Sequence, residues 1–258
     1  MATKIHPLAE VNKDAQLDND VEVGAYAIIG KNVKIGKGTR IEQFSQIFGY
    51  TEIGKNCHIF SYAVIGSPPQ DLKYKGDKSS IVIGDNNTIR EFVTVNPGTS
   101  KGSKTIIGNG NLIMAYSHIA HNCIVGNNNV FANCATLAGH VVIEDKVHIG
   151  GLSAIHQFCR IGRLSIIGGC SKVVQDIPPY SLCDGHPAKV YGINTIGLKR
   201  AKFSQEKINI LKKAFKIIFF SNHPLSTAIK MIKKDLPQIE ELDYLIKFIS
   251  SSQRGISK

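Results

Sequence analysis

The sequence predicts a β-solenoid of six-residue repeats over residues 1–185, followed by a small, basic α-helical domain over residues 186–258. Three observations support this prediction. An aliphatic residue returns at every sixth position, a small residue follows it four positions later, and the apolar spacing becomes helical after the repeats end. A period of six fits neither the two-residue period of a strand nor the 3.6-residue period of a helix. It indicates one short strand and one tight turn in each unit.

The aliphatic register extends from Ile5 to Val173 without losing its count. Of its 29 positions, 26 are apolar, and the three exceptions are Asp71, Asp77 and Lys101. Because the register resumes unchanged after each interruption, the interrupting segments replace whole units. We therefore expect residues 67–82 to replace two units and residues 97–106 to replace one, both as excursions from the solenoid.

A small or β-branched residue lies four positions after most of the aliphatic residues. One large and one small inward side chain, followed by a turn, describe one flat side of a coil. The small positions include Thr99 and three of the six cysteines, Cys57, Cys123 and Cys159. We expect these side chains to fill the core, which favours free thiols over a disulfide framework.

This repeat resembles that of the hexapeptide left-handed parallel β-helix, and the resemblance implies an all-β left-handed parallel β-helix as the fold class. It also implies that three units form one triangular coil of about 18 residues. Successive coils then stack at strand spacing, roughly 4.8 Å apart. Residues 18 positions apart are expected to lie above one another wherever no excursion intervenes.

The excursion at residues 67–82 is a candidate binding loop. It presents Gln70, Asp71 and Lys73 next to the dipeptide Pro68-Pro69. Loops that leave a rigid scaffold often carry function, although a surface insertion without a role is also tolerated. The cluster of polar side chains favours a binding loop.

The repeats are expected to end near Pro178-Pro179, after which helical spacing begins. Ser204 can N-cap a first helix, whose apolar residues recur at i, i+3 and i+4. A second helix is expected from Leu225 to Asp235, and a third with Pro237 in its first turn. Their apolar faces need the solenoid end or a neighbouring subunit as a partner.

The positive charge of the chain is concentrated after the repeats. Residues 1–185 contain 17 Lys and Arg against 15 Asp and Glu, a net +2, whereas residues 186–258 contain 14 against 5, a net +9. Such a surface suits nucleic acid, an anionic membrane or an acidic protein, or is a solvated helix face. No apolar run reaches the roughly 20 residues that span a bilayer. Lys4 and His6 lie where a signal peptide would need an apolar stretch. We therefore expect a cytoplasmic protein without a transmembrane segment.

Histidines are concentrated in the second half of the repeats. Five of the nine lie within 39 positions, and four of these are candidate site residues: His118, His121, His140 and His156. Since no excursion lies between residues 107 and 173, the 18-residue spacing predicts that His121, Gly139 and Gln157 form one column on successive coils. The expected result is a cluster of imidazoles with a glycine amide among them.

This cluster fits more than one function. An imidazole accepts a proton from an alcohol near neutral pH, and an exposed glycine N–H stabilises an oxyanion, so the pair suits acyl transfer to a hydroxyl or amine. Three histidines can instead bind zinc, as in β-helical carbonic anhydrases, or can be structural corner residues. No Gly-x-Ser-x-Gly segment serves this region, which favours direct attack by the acceptor over an acyl-enzyme.

Several motifs resemble those of the acyl-carrier-protein–UDP-N-acetylglucosamine O-acyltransferase family, which begins lipid A synthesis. They are His118-Ile119-Ala120-His121-Asn122-Cys123, Leu137-Ala138-Gly139-His140, Ile155-His156-Gln157-Phe158, Gln70-Asp71-Leu72-Lys73-Tyr74, Gly168-Gly169-Cys170-Ser171 and Gly197-Leu198-Lys199-Arg200. Their number and order make the resemblance specific, and it covers almost the whole chain.

The resemblance implies transfer of a 3-hydroxyacyl chain from acyl carrier protein to the glucosamine 3-hydroxyl of UDP-N-acetylglucosamine, without a metal, cofactor or nucleic acid. It implies that His121 is the general base, that the Gly139 amide binds the oxyanion and that Gly169 admits the acyl chain. Substrate-binding roles fall on Gln70, Asp71, Lys73, His118, His140, His156, Gln157, Asn194 and Arg200. The family is a homotrimer with sites between subunits, and its acidic acyl carrier protein suits the basic domain.

Four positions depart from the pattern of many relatives. The chain has Asn122 where they have Asp, Asn96 where they have His, Ile196 where they have an acid, and Ala201 where they have Arg. Asn122 can orient the neighbouring imidazole, but it does not offset the charge of an imidazolium.

Three alternatives stay open: the same transfer to a 3-amino UDP-sugar, a zinc enzyme of the carbonic anhydrase type, and a non-catalytic scaffold. The polar loop at 70–73 and Arg200 count against the scaffold. The N-acyltransferase that acts later in the pathway has a separate N-terminal uridine-binding domain, for which a repeat beginning at Ile5 leaves no space.

Overall fold

Three parallel sheets surround a common core in the computed structural model, which describes residues 2–258. We call them sheets A, B and C in the order in which the chain meets them. Each coil contributes one short strand to each sheet, and the chain turns a corner between one sheet and the next. The predicted left-handed parallel β-helix with a helical C-terminal part is confirmed.

The strands are mostly two residues long, as six-residue units require. In chain order, strands β1 to β28 within residues 2–258 are Lys4–Ile5, Glu10–Val11, Gln16–Leu17, Glu22–Val23, Ile28–Ile29, Lys34–Ile35, Arg40–Ile41, Gln46–Ile47, Tyr50–Ile53, His58–Ile59, Val64–Ile65, Ser80–Ile83, Thr88–Ile89, Thr94–Val95, Lys104–Ile107, Leu112–Ile113, His118–Ile119, Ile124–Val125, Val130–Phe131, Thr136–Leu137, Val142–Ile143, His148–Ile149, Ala154–Ile155, Arg160–Ile161, Ile166–Ile167, Lys172–Val173, Ser181–Gly185 and Ala188–Ile193. Sheet A contains β1 and every third strand up to β25, followed by β27 and β28. Sheet B runs from β2 to β26 and sheet C from β3 to β24, again by every third strand.

The stacking register confirms the number of units that each excursion replaces. In unbroken coils the paired residues lie one full coil apart in the chain, as Ile119 and Leu137 do. Across the first excursion Val64 pairs with Thr94, and across the second Thr94 pairs with His118. The residues of the first pair are therefore separated by one coil plus two repeat units, and those of the second pair by one coil plus one repeat unit.

Both excursions end earlier than the sequence predicted. β12 begins at Ser80 and β15 at Lys104. The segments outside the triangular prism formed by the three sheets therefore end at residues 79 and 103 rather than at 82 and 106. The reason is additional strand pairing, because β9, β12 and β15 are four residues long and pair along their whole length on sheet C. Both excursions leave the prism between sheets B and C.

The core is filled as the repeat predicts, with one exception. The aliphatic positions of the strands between residues 23 and 173 are buried, as are the three cysteines predicted to face inward, and all six cysteines are free thiols. The prediction that Thr99 faces the core is wrong, because Thr99 lies half-buried in the second excursion. Thr105 fills the inward position instead. Because the second excursion removes one whole unit from the solenoid, the inward position expected at Thr99 is occupied one repeat later in the chain.

Buried asparagines occupy three successive inward positions on one side of the prism. The Nδ2 group of Asn111 donates to Asn87 Oδ1 and to the Gly126 carbonyl, both at 3.0 Å. Asn111 Oδ1 accepts the Asn129 N–H at 2.9 Å, and Asn129 Oδ1 accepts the Val147 N–H at 2.7 Å. Each side chain therefore satisfies buried backbone groups and links its coil to the next.

The C-terminal part begins with a hairpin and continues as helices. β27 pairs with β25 and turns back as β28, so sheet A extends beyond the last full coil. The domain boundary predicted at residue 185 falls in this hairpin turn and stays a prediction. Within residues 2–258 the helices are α1 (Thr195–Arg200), α2 (Gln205–Phe219), α3 (Leu225–Asp235) and α4 (Glu240–Ser250), none of them long and apolar enough to cross a membrane.

The helix boundaries match the sequence predictions in two cases and differ in one. Ser204 N-caps α2 by accepting the Lys207 N–H at 3.2 Å, and α3 has its predicted bounds. The prediction for Pro237 is wrong, because α4 begins only at Glu240. Leu236 is extended, with a ψ of 145°, since a following proline disfavours the helical region. The proline therefore ends α3 instead of starting α4.

Candidate active site

The corner at which the chain passes from sheet B to sheet C, the B/C corner, collects most of the predicted site residues. His121, Gly139 and Gln157 each lie just after a strand of sheet B, on three successive coils. The His140 N–H donates to the His121 carbonyl at 3.0 Å, and the Phe158 N–H donates to the Gly139 carbonyl at 3.2 Å. The column predicted from the 18-residue spacing is therefore present, at the corner from which both excursions leave.

Gly139 leaves room for the imidazole of His121. A methyl group on the Gly139 Cα would lie 2.6 Å from His121 Nε2 and 3.0 Å from Nδ1. Only glycine therefore allows the ring to lie against the backbone of the next coil. The Gly139 N–H donates to no backbone carbonyl of residues 2–258. A hydrogen-bond donor is thus free beside the ring.

The first excursion brings a carboxylate to this ring. Asp71 Oδ2 lies 3.7 Å from His121 Nε2, and Asp71 Oδ1 accepts the Lys73 N–H at 2.8 Å. The side chains of Gln70 and Lys73 are exposed, whereas Asp71 is half-buried. Of the three predicted loop residues, Asp71 is the one whose side chain approaches the imidazole.

Asn96 anchors the base of the first excursion. Its buried Nδ2 group donates to the Ser67 carbonyl and hydroxyl, both at 3.2 Å, and to the Pro68 carbonyl at 3.3 Å. Asn96 thus holds the loop that carries Asp71.

The second excursion contacts the residue that follows His121. Asn122 Oδ1 lies 3.0 Å from His121 Nδ1 and accepts hydrogen bonds from the Thr99 N–H and hydroxyl, both at 3.1 Å. The Asn122 N–H donates to Thr105 Oγ1 at 2.9 Å. With a φ of 60°, Asn122 has the left-handed backbone conformation that asparagine tolerates well. A neutral amide oxygen therefore faces Nδ1 of His121.

Two further imidazoles in the cluster are biased toward the neutral form. Burial lowers the pKa of His118, and the nearby His121 lowers it further. Its Nδ1 lies 2.7 Å from Thr94 Oγ1. Burial also lowers the pKa of His140, His121 lowers it further, and the Asp71 carboxylate acts in the opposite direction. Each neutral ring presents one hydrogen-bond donor and one acceptor.

Ring contacts fix the orientation of His140 beside His121. The His140 and His121 rings meet edge to face with their centroids 5.3 Å apart, and His140 stacks on Phe158 at 4.8 Å. His156 and Gln157 are exposed on the next coil. The cluster therefore has a half-buried centre and a polar, accessible rim.

Asn194 and Arg200 lie at a different corner of the chain, between sheets C and A. They line a cavity of about 950 Å³ together with His148 of β22. Asn194 Oδ1 accepts the Gly197 N–H at 2.9 Å at the start of α1, and its Nδ2 donates to the Leu164 carbonyl at 2.8 Å. Burial lowers the pKa of His148, and the charge of Arg200 lowers it further.

Gly169 lies at the third corner, between sheets A and B. It is exposed, and a methyl group there would lie 3.3 Å from the Gly151 carbonyl oxygen. Within one chain, sheet B lies between Gly169 and His121, and sheet C lies between Arg200 and His121. The fold therefore does not bring the complete predicted set together in a single chain.

Sequence reasoning missed the three threonines that contact the site, Thr94, Thr99 and Thr105. The position of Thr94 could have been predicted. Thr94 and His118 are separated by one coil plus the one unit of the second excursion, so they lie side by side on neighbouring coils. The contact of Thr99 with Asn122 depends on the path of the excursion, which no repeat spacing predicts.

The clustered histidines do not form a metal site. Among residues 2–258, no group of three or more His, Cys, Asp and Glu side chains is placed to hold a metal ion. The Nδ1 atoms of His118 and His121 face Thr94 and Asn122 instead. The zinc alternative therefore has no ligand set in this part of the chain.

Family models and curated relatives match both parts of the chain. The family described as Udp N-acetylglucosamine O-acyltransferase, Domain 2, matches residues 176–257, and the bacterial transferase hexapeptide family matches residues 104–139. The acyl-[acyl-carrier-protein]–UDP-N-acetylglucosamine O-acyltransferase of Thermodesulfovibrio yellowstonii is 54% identical over 99% of both chains. The enzyme of the same name from Anaeromyxobacter dehalogenans is 47% identical over 98% of this chain and 99% of its own.

Solved structures agree with these matches over the whole length. LpxA from Acinetobacter baumannii has a TM-score of 0.93 and 42% identity, over 98% of this chain and 99% of its own. LpxA from Bacteroides fragilis, a UDP-N-acetylglucosamine acyltransferase, has a TM-score of 0.95 and 39% identity, over 98% of this chain and 100% of its own. Because sequence identity and fold agree from end to end, the chain belongs to the acyl-[acyl-carrier-protein]–UDP-N-acetylglucosamine O-acyltransferase family.

Proposed function

We propose that this chain transfers a 3-hydroxyacyl group from acyl carrier protein to the glucosamine 3-hydroxyl of UDP-N-acetylglucosamine, the first step of lipid A biosynthesis. Membership of the family supports the reaction class and the two substrates. The observation that carries the chemistry is the contact of the His121 ring with Gly139. It pairs a proton acceptor with a free N–H donor, the two groups that acyl transfer requires.

His121 acts as the general base. Its imidazole accepts the proton of the sugar 3-hydroxyl while the hydroxyl oxygen attacks the thioester carbonyl carbon. The carbonyl oxygen becomes an oxyanion, which the Gly139 N–H stabilises by a hydrogen bond. The bond between carbon and sulfur then breaks, and the imidazolium returns the proton to the departing thiolate of the carrier.

The acceptor attacks the thioester directly, without an acyl-enzyme. Cys123 is the thiol nearest in sequence to the base, and it is buried in the core. Burial raises its pKa to about 12, so the thiolate that a nucleophile needs is scarce at neutral pH. This environment supports the choice of His121 as a base for the sugar hydroxyl.

The other polar residues of the B/C corner hold the substrates. The neutral rings of His118 and His140 and the carboxylate of Asp71 suit the hydroxyl and amide groups of a sugar, because they lie half-buried around the base. The exposed rim would contact the diphosphate and the acyl donor through Gln70, Lys73, His156 and Gln157.

A neighbouring subunit completes the site, which makes the protein a homotrimer in this proposal. His121 lies at the B/C corner, whereas Asn194, Arg200 and Gly169 lie at the other two corners of the same chain. A second copy against the B/C corner would bring its own Asn194 and Arg200 to the nucleotide and its Gly169 to the acyl chain. A guanidinium group suits the geometry of phosphate.

The basic helical part is the proposed docking surface for acyl carrier protein, which is acidic. Exposed lysines lie along α1, α2 and the turn between them, at Lys199, Lys202, Lys212, Lys213 and Lys216. Since contacts between exposed charges are screened by salt, the KM for the acyl donor should rise with ionic strength. We infer a cytoplasmic location from the two substrates, and no nucleic acid, metal or cofactor takes part.

Mass spectrometry of the products tests this proposal. The protein is incubated with 3-hydroxyacyl carrier proteins of several chain lengths and with UDP-N-acetylglucosamine or its 3-amino analogue. We expect an O-acylated product that the His121→Ala variant no longer forms. An N-acylated product alone would contradict the hydroxyl acceptor, and a His121→Ala variant of nearly full activity would contradict the assignment of the base.

A further inference from the structure

The amide of Asn122 is held between the second excursion and the imidazole of His121. Its Oδ1 accepts hydrogen bonds from the Thr99 N–H and the Thr99 hydroxyl, both at 3.1 Å, and lies 3.0 Å from His121 Nδ1. The backbone of Asn122 is fixed independently, because its N–H donates to the fully buried Thr105 Oγ1 at 2.9 Å. Three contacts therefore converge on one amide oxygen.

The Thr99 N–H decides which end of the amide faces the histidine. A backbone N–H can only donate, so the amide atom opposite it must be the oxygen and cannot be the NH2 group. The same oxygen faces His121 Nδ1, so Nδ1 must carry the ring proton to complete this hydrogen bond. Nε2 is then left with a free lone pair, which a general base requires.

We propose that Thr99 is a positioning residue for the acyl transfer and that it sets the tautomer of His121 through Asn122. The inference rests on the proposed role of His121 as the base. It gives a function to the second excursion, whose one-unit loop places Thr99 outside the core and against the Asn122 side chain.

The groups around Nε2 agree with this tautomer. Asp71 Oδ2 lies 3.7 Å from Nε2, which is too far for a direct hydrogen bond. A bare Nε2 and a carboxylate oxygen are both acceptors, so they favour a hydroxyl or amine donor between them. The other titratable groups facing the ring are His118 and His140, whose pKa values burial lowers. Asp71 is therefore the charged group at this end of the ring.

Because Asn122 is neutral, its positioning effect can be separated from an effect of charge. An aspartate would accept the same hydrogen bonds and keep the same tautomer, but its charge would favour the imidazolium. We expect Asn122→Asp to retain the Nδ1–H tautomer and to move the acid limb of the kcat/KM profile to higher pH by about one unit. Loss of the Thr99 hydroxyl should lower kcat/KM and leave both the tautomer and the acid limb in place, because the Thr99 N–H remains.

Nitrogen NMR of the full-length protein with isotope-labelled histidine reports the tautomer without reference to activity. The His121 signal is assigned by its loss in His121→Ala. Above neutral pH we expect His121 to be protonated at Nδ1, and protonation at Nε2 would overturn the inference.

Thr99→Val keeps the shape of the side chain but removes its hydroxyl. We expect the Nδ1–H tautomer to persist, because the Thr99 backbone N–H still donates to Asn122 Oδ1. We expect kcat/KM to fall by about tenfold, because the amide that orients His121 loses one hydrogen bond. Thr99→Ser should recover most of this loss because it restores the hydroxyl. Thr88→Val, on sheet A, is the control for a threonine away from the B/C corner. A Thr99→Val variant with wild-type kcat/KM would overturn the role of the Thr99 side chain.

Failure of this inference is distinguishable from failure of the proposed function. If His121→Ala stayed active, the assignment of the base would be wrong, whatever the tautomer. If His121→Ala were inactive while Thr99→Val behaved as wild type, the base assignment would stand and the role of Thr99 alone would fall.

Discussion

The imidazole of His121 lies against the backbone of Gly139, one full coil later in the chain. The contact arises because each coil returns to the same corner after three repeat units and because Gly139 has no side chain to fill the space. An imidazole and a free N–H donor are thus brought together by the winding of the chain and not by a local motif. The geometry of the pair depends on the glycine.

Replacing Gly139 with alanine should disable the site without unfolding the solenoid. The new methyl group would lie 2.6 Å from His121 Nε2, so the ring would have to move. Displacement of a reacting group by about 1 Å can lower a rate by about 100-fold, and we expect kcat/KM to fall by that order. Steady-state kinetics with acyl carrier protein and the sugar nucleotide measure this effect, and circular dichroism checks the fold.

Gly192→Ala is the matched control for this substitution. A methyl group at Gly192 meets no heavy atom within 4 Å, so this variant should have wild-type kinetics. If Gly139→Ala also had wild-type kinetics, the imidazole would not need the space that Gly139 leaves, and the proposed pairing would be wrong.

Mixed trimers should show whether one site uses two subunits. His121→Ala is expected to be inactive, and Arg200→Ala to lose about 10- to 100-fold of kcat/KM through lost charged hydrogen bonds. In an equal co-assembly, one interface in four combines an intact His121 with an intact Arg200 of the neighbour. About one quarter of the wild-type activity should therefore return.

The control for this experiment mixes His121→Ala subunits with subunits that carry both substitutions, because no interface then contains an intact base. If His121 and Arg200 served a site within one chain, the first mixture would show only the residual activity of its Arg200→Ala subunits, well below one quarter of the wild-type activity.

Asn111→Ala should destabilise the solenoid strongly for a single buried substitution. It leaves the Gly126 carbonyl and the Asn129 N–H without their hydrogen-bond partner inside the core. Each unpaired buried group costs about 1–3 kcal/mol, so we expect a loss of about 3 kcal/mol in the free energy of unfolding. Denaturant unfolding followed by circular dichroism measures it.

Asn109→Ala provides the comparison at the neighbouring corner. Asn109 is exposed, so water can replace its hydrogen bonds, and we expect a change of less than about 1 kcal/mol. Equal losses for Asn109→Ala and Asn111→Ala would contradict the assignment of a stabilising role to the buried ladder.

The half-buried His118 should make the protein less stable as the pH falls. Burial lowers the folded-state pKa of His118 from its ordinary value of 6.5. Below pH 6.5 the unfolded chain binds a proton that the folded chain does not, so the free energy of unfolding decreases until the pH reaches the folded-state pKa. Carboxylates with lowered pKa values, such as Glu22 and Glu91, act in a more acidic range, below their ordinary value of 4.5.

Thermal unfolding of the wild type and of His118→Gln between mildly alkaline and mildly acidic pH tests this prediction. The melting temperature of the variant should fall less with decreasing pH than that of the wild type. Because only the slopes are compared, a general destabilisation by the substitution does not matter. Equal slopes would mean that His118 does not contribute to the acid sensitivity.

The repeat could be interpreted from sequence because contacts in a solenoid occur at a constant offset. Ile119, Leu137 and Ile155 pair in register, one coil apart each time, so counting alone predicted which residues stack. The column that contains His121 and Gly139 follows from the same count. The bounds of α3 were predictable for a similar reason, since apolar spacing and flanking residues act over short distances.

The excursions and the ends of helices were less predictable because their contacts follow no repeat. Thr99 has the right residue type and spacing for an inward position, yet the one-unit loop carries it out to Asn122. Pro237 is compatible with the first turn of a helix, yet the extended conformation of Leu236 ends α3 there. At Thr99 the contact with Asn122 selects one of two structures that the local pattern allows. At Pro237 the proline itself disfavours the helical conformation of Leu236.

By itself, the sequence determined the winding of the chain and the stacking of His121 on Gly139, because a strict period turns positions in the chain into positions in space. Only the tertiary structure decided that Asp71 and Thr99 approach this pair and that Arg200 and Gly169 face other corners of the same chain. The physical reason is that the path of a loop and the direction of a corner depend on contacts between residues far apart in sequence, which no periodic pattern records.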